Sequence, residues 1–101
     1  MAEKRVLTLL GLIYRAGKCA HGIDMIVEAI QKNRTHYVLI AKDVKENTKK
    51  KLIDKCRSYN VPYRMFSDRK SLGNAIGKEE RVAVAILDEG FARKVHSLLQ
   101  N

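Results

Sequence analysis

The 101-residue chain contains no tryptophan, one proline, two cysteines and only six aromatic side chains. No apolar run reaches the roughly 18 residues that a membrane-spanning helix needs. The apolar stretch from Val6 to Ile13 is interrupted by Thr8 and Gly11, and no small-residue cleavage site follows it. We therefore interpret this stretch as a helix rather than as a signal peptide, and we expect no association with a membrane.

Motifs that would support catalysis or metal binding are also missing. Cys19 and Cys56 form no Cys-x-x-Cys pair, and we predict two reduced, buried thiols in a cytosolic protein. The three histidines have no ligand-like spacing to one another or to a cysteine. No Gly-x-Gly-x-x-Gly occurs, and no residues combine as a nucleophile, a base and an orienting group. The sequence thus predicts no enzymatic activity, no metal site and no cofactor.

The dominant feature of the sequence is its excess of positive charge. Twenty lysines and arginines face eleven acidic residues, which gives a net charge of +9 and an isoelectric point near 9.8. Such a balance indicates a polyanionic partner, with nucleic acid ahead of an anionic membrane. Apolar residues make up 46% of the chain, which is typical of a globular protein. The length corresponds to a single domain over residues 1–101.

The pattern of apolar residues and capping residues predicts five helices. The first runs from about Glu3 to Arg15 and ends at Gly17. Its apolar residues form one broad face that should be buried against a sheet: Val6, Leu7, Leu9, Leu10, Leu12 and Ile13. The remaining helix starts are the glycine Gly22, a capping-box-like pair Asp43 and Glu46, a cap at Ser67 or Asp68, and a cap at Asp88.

Two wholly apolar runs, residues 37–41 and 82–87, predict strands that are covered on both faces. Residues 18–21 predict a brief strand, and residues 61–66 predict a strand whose proline belongs at its start or at a sheet edge. Helices and strands therefore alternate along the chain. This order predicts an α/β fold, a three-layer α/β/α sandwich with a four-stranded mixed central sheet.

Basic residues fall beside three of the predicted loops, and this topology should bring the loops together at one edge of the sheet. The groups are Arg15, Lys18 and His21; Lys42, Lys45 and Lys49–Lys51; and Lys78 and Arg81. Free N–H groups at the start of the helix after Gly22 would favour a phosphate. A positive, concave edge of this kind suits the backbone of a folded RNA. We interpret the lysine run at 49–51 as a solvated helix face.

The aromatic residues help to define the type of RNA. Periodicity assigns most of the six to the core, so no platform for stacking single-stranded bases is evident. No helix-turn-helix arrangement is evident either. Structured RNA, recognised by its shape and a few base edges, fits these observations best.

Several segments in order resemble the kink-turn-binding ribosomal protein L7Ae and L30e family, and the whole pattern is similar to its bacterial YlxQ-type branch. The segments are Val38-Leu39-Ile40-Ala41-Lys42-Asp43-Val44, Val61-Pro62-Tyr63, Ser71-Leu72-Gly73-Asn74-Ala75-Ile76-Gly77 and Val84-Ala85-Ile86. Shorter matches include Arg15-Ala16-Gly17-Lys18 and Glu89-Gly90-Phe91-Ala92. The resemblance covers nearly the whole chain.

This resemblance implies an α/β/α sandwich without enzymatic activity that binds RNA through three loops. Gly22 matches the glycine that lets the backbone approach RNA, and Lys42 and Asp43 match the turn after the central strand. The loop that covers a flipped-out nucleotide of a kink-turn corresponds to residues 78–83. Together with the residues of the basic loops, the predicted RNA-binding set is Lys18, His21, Gly22, Asp24, Met25, Glu28, Lys42, Asp43, Lys78, Arg81, Val82 and Ala83.

The sequence departs from the family at the start of the second helix. Archaeal and eukaryotic members carry an Asn-Glu pair and a later lysine there, with which they read guanine edges. Aligned on Gly22 and Ala29, this chain has Asp24, Met25 and Glu28 instead. We therefore expect weak binding to a standard kink-turn, micromolar or poorer, and a different structured RNA as the target, such as ribosomal RNA or the ribosome.

Three functional hypotheses thus follow from the sequence, and the third of them is a small enzyme or nucleotide binder. The first is a non-catalytic, monomeric, cytoplasmic protein that binds structured RNA. The alternative is a protein-interaction adaptor of the same fold, whose basic surface would meet an acidic protein. An electrophoretic shift with structured RNA, with and without nuclease, distinguishes the first two.

Overall fold

Helices and strands alternate through the residues that the computed structural model describes, 2–100. The helices are α1 (Ala2–Arg15), α2 (Ile23–Gln31), α3 (Glu46–Ser58), α4 (Arg69–Ala75) and α5 (Glu89–Leu99). The strands are β1 (Cys19–Ala20), β2 (Tyr37–Ile40), β3 (Tyr63–Met65) and β4 (Ala83–Ile86). Each element lies where the sequence predicts it, with ends that differ by a few residues at most.

The four strands form one mixed sheet in the order β1-β4-β2-β3. Strand β4 pairs antiparallel with both β1 and β2, whereas β3 runs parallel to β2. In the register of the central pair, Ile40 lies opposite Ala83 and Tyr37 lies opposite Ile86. The two central strands are buried along their whole length, as their continuous apolar sequences predict.

Alternation of side chains along the strands divides the core into two clusters, one on each face of the sheet. Leu39 and Val84 point into the cluster that α1, α4 and α5 cover. Val38 and Ala85 point into the cluster that α2 and α3 cover. The predicted α/β/α sandwich with a four-stranded mixed sheet is therefore confirmed.

Two of the predicted helix caps are confirmed, because the side chains of Asp68 and Asp88 accept hydrogen bonds from the N–H groups three residues later. The predicted capping box at Asp43 and Glu46 is wrong. Helix α3 starts at Glu46 after Lys45, without a side-chain cap. The carboxylate of Asp43 instead contacts Arg69. The two residues are far apart in the sequence, so residue spacing does not predict this contact.

Two predictions of burial also need correction. Leu12 lies on the outer side of α1 and is 49% exposed, because α5 covers only part of the broad apolar face. Cys56 is buried as predicted, but Cys19 is only half-buried. Burial raises the pKa of Cys56 to about 11 and also raises that of Cys19, so both thiols are protonated at neutral pH. Within residues 2–100, no helix has the length and apolarity needed to cross a membrane.

Candidate nucleic-acid interface

Three of the connections between helices and strands meet at one end of the sheet. Strand register causes this, since Ile40 at the end of β2 pairs with Ala83 at the start of β4. The Ala41 N–H also donates to the Val82 carbonyl at 2.9 Å. Strand β1 ends beside the same region, with Ala20 opposite Ala85. We call this surface the loop edge and define it as residues 21–22, 42–45 and 77–82.

The loop edge contains most of the predicted RNA-binding residues but not Lys18. The Lys18 carbonyl accepts from the Leu87 N–H at the opposite end of β4, at 2.8 Å. Strand β1 separates Lys18 from His21, and at ~3.3 Å per residue their Cα atoms are about 10 Å apart. Lys18 and His21 therefore flank opposite ends of the two-residue strand β1, and only His21 belongs to the loop edge.

An arginine–histidine hydrogen bond joins two of the loops. The Arg81 Nε–H donates to His21 Nδ1 at 3.1 Å, and Arg81 Nη1 donates to the Glu80 carbonyl at 2.9 Å. A guanidinium has five N–H donors, so the remaining ones on Arg81 have no protein acceptor within residues 2–100. No carboxylate of those residues lies within ion-pair distance of Arg81. Arg81 is thus a fixed but uncompensated cation.

The same contact defines the protonation state of His21. Because Nδ1 accepts a hydrogen bond, the imidazole hydrogen is on Nε2 in the neutral ring. Partial burial lowers the pKa of His21 below its ordinary value, and the positive charges of Arg81 and Lys78 lower it further. His21 is therefore neutral at pH 7 and presents an N–H donor rather than a charge.

Tyr14 at the end of α1 also belongs to this cluster, which the sequence analysis did not predict. Its ring packs edge-on against His21, with 5.7 Å between ring centroids. The Lys78 ammonium lies 5.5 Å from the centroid of the Tyr14 ring, a cation–π distance. No pattern in the sequence indicates the contact of Tyr14 with Lys78, more than sixty residues later in the chain.

Arg69, at the start of α4, connects the loop at residues 42–45 with the loop at residues 77–82. Its backbone N–H donates to Asp43 Oδ1 at 2.9 Å, and its guanidinium Nε lies 3.4 Å from Asp43 Oδ2. Arg69 Nη1 lies 3.6 Å from Glu80 Oε1, and the Arg69 carbonyl accepts from the Arg81 N–H at 3.0 Å. The backbone hydrogen bond from Arg69 lowers the pKa of Asp43, and its guanidinium contributes to the shift. Asp43 therefore positions the loops.

Gly73 allows the loop before β4 to lie directly on α4. A Cβ atom at this position would overlap the carbonyl oxygen of Glu79 and lie 3.1 Å from the Cα of Glu80. The Gly73 carbonyl also accepts from the Lys78 N–H at 2.9 Å. In the sequence Gly73 is only part of a family motif, and its steric role is visible only in the structure.

Gly22, unlike Gly73, has room for a side chain. Its φ of −105° is open to any residue, and an added Cβ would meet nothing nearer than Met25 Sδ at 3.8 Å. The fold therefore does not require glycine here. No side chain caps α2, and the first intrahelical bond is from Ile26 N–H to the Gly22 carbonyl. The preceding N–H groups of α2 are thus directed outward at the loop edge.

The substituted positions of α2 lie beside Gly22. Asp24 and Glu28 are exposed, and Met25 is 48% exposed. Glu28 forms an ion pair with Lys32 at 3.1 Å, whereas Asp24 makes no capping hydrogen bond. These three side chains can therefore be replaced without disturbing the core.

The remaining predicted residues differ in exposure. Lys42 and Lys78 are exposed, and Val82 is half-buried. Ala83 is completely buried in β4, so it has no surface with which to contact a ligand in this conformation. Its position in the register holds residues 77–82 in place beside β2.

Comparison with known proteins shows the family. The model of the ribosomal protein L7Ae/L30e/S12e/Gadd45 family matches residues 4–96. The chain belongs to this family. It is 48% identical to the RNA-binding protein YlxQ of Bacillus subtilis over 91 residues, which cover 90% of this chain and 91% of that protein. It is 37% identical to YlxQ of Enterococcus faecium, over 97% of this chain and 94% of that protein.

A ribosomal protein and two solved structures are also similar to this chain. The large ribosomal subunit protein eL8 of Picrophilus torridus is 30% identical over 87% of this chain and 70% of that protein. A solved structure of a Bacillus halodurans protein with unknown function superposes with a TM-score of 0.90 at 42% identity, over 95% of this chain and 97% of the other. A Giardia lamblia 15.5kD RNA binding protein superposes with a TM-score of 0.78 at 18% identity, over 97% and 90%. The YlxQ, eL8 and Giardia proteins are RNA-binding or ribosomal proteins by name, and the function of the Bacillus halodurans protein is unknown.

Proposed function

We propose that this family member binds structured RNA through the loop edge and has no catalytic activity. The observation that carries the proposal is Arg81, a guanidinium held by His21 and by its own loop but without a neutralising carboxylate within residues 2–100. Such a group costs little further entropy when it binds a phosphate, because its geometry is already defined. Similarity to the RNA-binding protein YlxQ and to the ribosomal protein eL8 supports RNA as the source of that phosphate.

The surroundings of Arg81 support an RNA backbone rather than an isolated anion. Lys42, Lys45 and Lys78 are exposed on the same loop edge and form no ion pair within the described chain. The uncapped start of α2 adds outward N–H groups at the same edge. Cations and N–H groups spread over three loops match several phosphates of a folded strand.

We further propose that the chain binds a standard kink-turn only weakly. The carboxylates of Asp24 and Glu28 only accept hydrogen bonds, and the major-groove edge of guanine also offers only acceptors. These side chains therefore cannot form hydrogen bonds with that edge. Its target is then another structured RNA, and the ribosomal relatives favour ribosomal RNA in the cytoplasm. We propose that the protein binds this RNA as a monomer.

Removing Arg81 tests which surface contacts RNA. Arg81→Ala and Lys42→Ala should each lower affinity for every structured RNA and flatten the dependence of log K on log salt by about one unit per lost phosphate contact. The triple variant Lys49→Ala, Lys50→Ala and Lys51→Ala removes more charge from α3 and should have a smaller effect. Electrophoretic shift or fluorescence anisotropy at several salt concentrations measures both quantities.

The comparison separates three outcomes. A larger loss in the α3 triple variant than in Arg81→Ala would mean that RNA lies on the α3 face. Lys18→Ala serves as a second control, because Lys18 lies at the opposite end of β1. Binding that persists unchanged in all the variants, or a complex that survives nuclease digestion, would favour the protein-adaptor function instead.

Gly22→Ala tests the start of α2 with little effect on folding. Since an added Cβ would have only ordinary contacts, we expect the free energy of unfolding to stay within about 0.5 kcal/mol of that of the unmodified protein. The methyl group should nevertheless cover part of the open N-terminus and weaken RNA binding several-fold. Differential scanning fluorimetry and anisotropy titration measure the two effects, and an unchanged affinity would place the RNA away from α2.

A further inference from the structure

A shallow apolar groove lies between α1 and α5, outside the loop edge. It encloses about 390 Å³. Three leucines form its floor, Leu9, Leu12 and Leu98, and the most prominent of them, Leu12, is 49% exposed. An aliphatic side chain left this open in the middle of a packed helix does not contribute its full burial to the stability of the free protein.

The charges around the groove are all of one sign. Lys4, Arg5 and Lys94 line its sides, and no acidic residue lines it. None of these cations forms an ion pair within residues 2–100. Two helices hold opposite charges four residues apart, Glu28 with Lys32 and Glu89 with Arg93, whereas the exposed Lys50 and Lys51 on α3 are also without an ion pair within residues 2–100.

The shape of the groove fits a helix. Two neighbouring helices form its walls, and its lining extends along α1 from Lys4 to Leu12, about 12 Å. A third helix could pack between them with its side chains between those of α1 and α5. Apolar residues spaced at i, i+3 or i+4 and i+7 would reach the leucines, and acidic residues on both flanks would reach the cations.

We propose that this groove binds an acidic amphipathic helix of a partner protein. Complementary charge identifies the occupant: carboxylates on the partner pair with Lys4, Arg5 and Lys94, while its apolar side chains cover Leu9, Leu12 and Leu98. RNA fits less well, because a floor of aliphatic side chains offers neither aromatic rings for base stacking nor hydrogen-bond donors for base edges. A second copy of this chain would bring like charges together across a two-fold contact.

A synthetic peptide provides the probe. It has about 14 residues, with leucines at i, i+3, i+7 and i+10 and glutamates at the flanking positions. Two matched peptides replace the glutamates by glutamines or the leucines by alanines. Each is titrated into the full isotope-labelled chain, and amide chemical shifts are followed by NMR. We expect saturable shifts on α1 and α5, none at His21 or Arg81, and binding at least tenfold weaker for both matched peptides.

Variants of the protein locate the site. Leu12→Ser and Lys94→Glu should each weaken the glutamate peptide at least tenfold while the chain stays folded, because both side chains are exposed. A peptide with lysines in place of the glutamates should bind Lys94→Glu better than it binds the unmodified chain. Lys51→Glu on α3 makes the same charge change on the opposite face of the sheet and should leave peptide affinity unchanged.

Several results would overturn the proposal. They are the absence of saturable shifts at millimolar peptide, equal binding of the glutamine peptide, and shifts centred on the loop edge. Loss of RNA affinity in Leu12→Ser comparable to that in Arg81→Ala would make the groove an RNA surface. Groove-dependent binding to vesicles of anionic lipid, or a dimer in sedimentation equilibrium that Leu12→Ser abolishes, would assign it to a membrane or to a second copy.

Discussion

Replacing Gly73 by alanine is expected to cause the largest loss of RNA binding of any single methyl group added to this chain. The new Cβ would overlap the carbonyl oxygen of Glu79, which is backbone and cannot turn aside as a flexible side chain can. The loop over residues 77–82 must then move away from α4, and Arg81 moves with it. We expect RNA affinity to fall at least tenfold.

Stability should fall in the same variant. Alanine favours a helix interior by ~1 kcal/mol over glycine, but overpacking a buried site costs about 1–3 kcal/mol. Since the overlap is with backbone, the steric cost should exceed the gain in helix propensity. The midpoint of thermal unfolding is therefore expected to decrease by several degrees, as measured by calorimetry or circular dichroism.

Gly11→Ala is the matched control for Gly73→Ala. Its Cβ would lie 2.9 Å from the Ala75 carbonyl oxygen, so it also forces a helix against backbone, but it does not touch residues 77–82. We expect it to destabilise the fold with a smaller loss of RNA affinity. If both variants lose affinity in proportion to stability, the loop geometry has no separate role; if Gly73→Ala retains both properties, the loop does not depend on close packing against α4.

Restoring the family residues on α2 is expected to have the largest gain of function. The triple variant Asp24→Asn, Met25→Glu and Glu28→Lys should bind a standard kink-turn at least tenfold more tightly than the unmodified chain. An asparagine both donates and accepts hydrogen bonds, and a lysine donates, so both can meet the acceptors of guanine. Each recovered base contact is worth about 1–3 kcal/mol.

The three substitutions should change the surface of α2 without changing the core. All three side chains are substantially exposed, so the core under α2 is unchanged, and only the exposed ion pair of Glu28 with Lys32 is lost. The triple variant raises the net charge by two, and Glu89→Lys makes the same change on α5. Anisotropy titration against a kink-turn and a matched straight duplex separates base reading from charge.

Two results would contradict the proposed role of α2. Unchanged kink-turn affinity in the triple variant would show that this turn does not read RNA. Nanomolar binding by the unmodified protein would show that Asp24, Met25 and Glu28 are compatible with kink-turn recognition. A gain matched by Glu89→Lys would indicate a general effect of charge.

The architecture could be derived from the sequence because its signals are local. The apolar runs at residues 37–41 and 82–87 are typical of strands covered on both faces, and Asp68 and Asp88 mark helix starts by bonding within their own turn. Order along the chain then limits the topology to an α/β/α sandwich. The family resemblance, carried by short segments over nearly the whole chain, is likewise contained in the sequence.

Contacts between residues far apart in the chain were decided only by the tertiary structure. The hydrogen bond of Arg81 to His21, the bridge from Asp43 through Arg69 to Glu80, and the fit of Gly73 under Glu79 depend on strand order and on how closely a loop approaches a helix. The same residues fit local rules equally well in other roles, as Asp43 did in a capping box. Leu12 shows the converse: periodicity placed it on an apolar face, but only the packing of α5 determined how much of that face is covered.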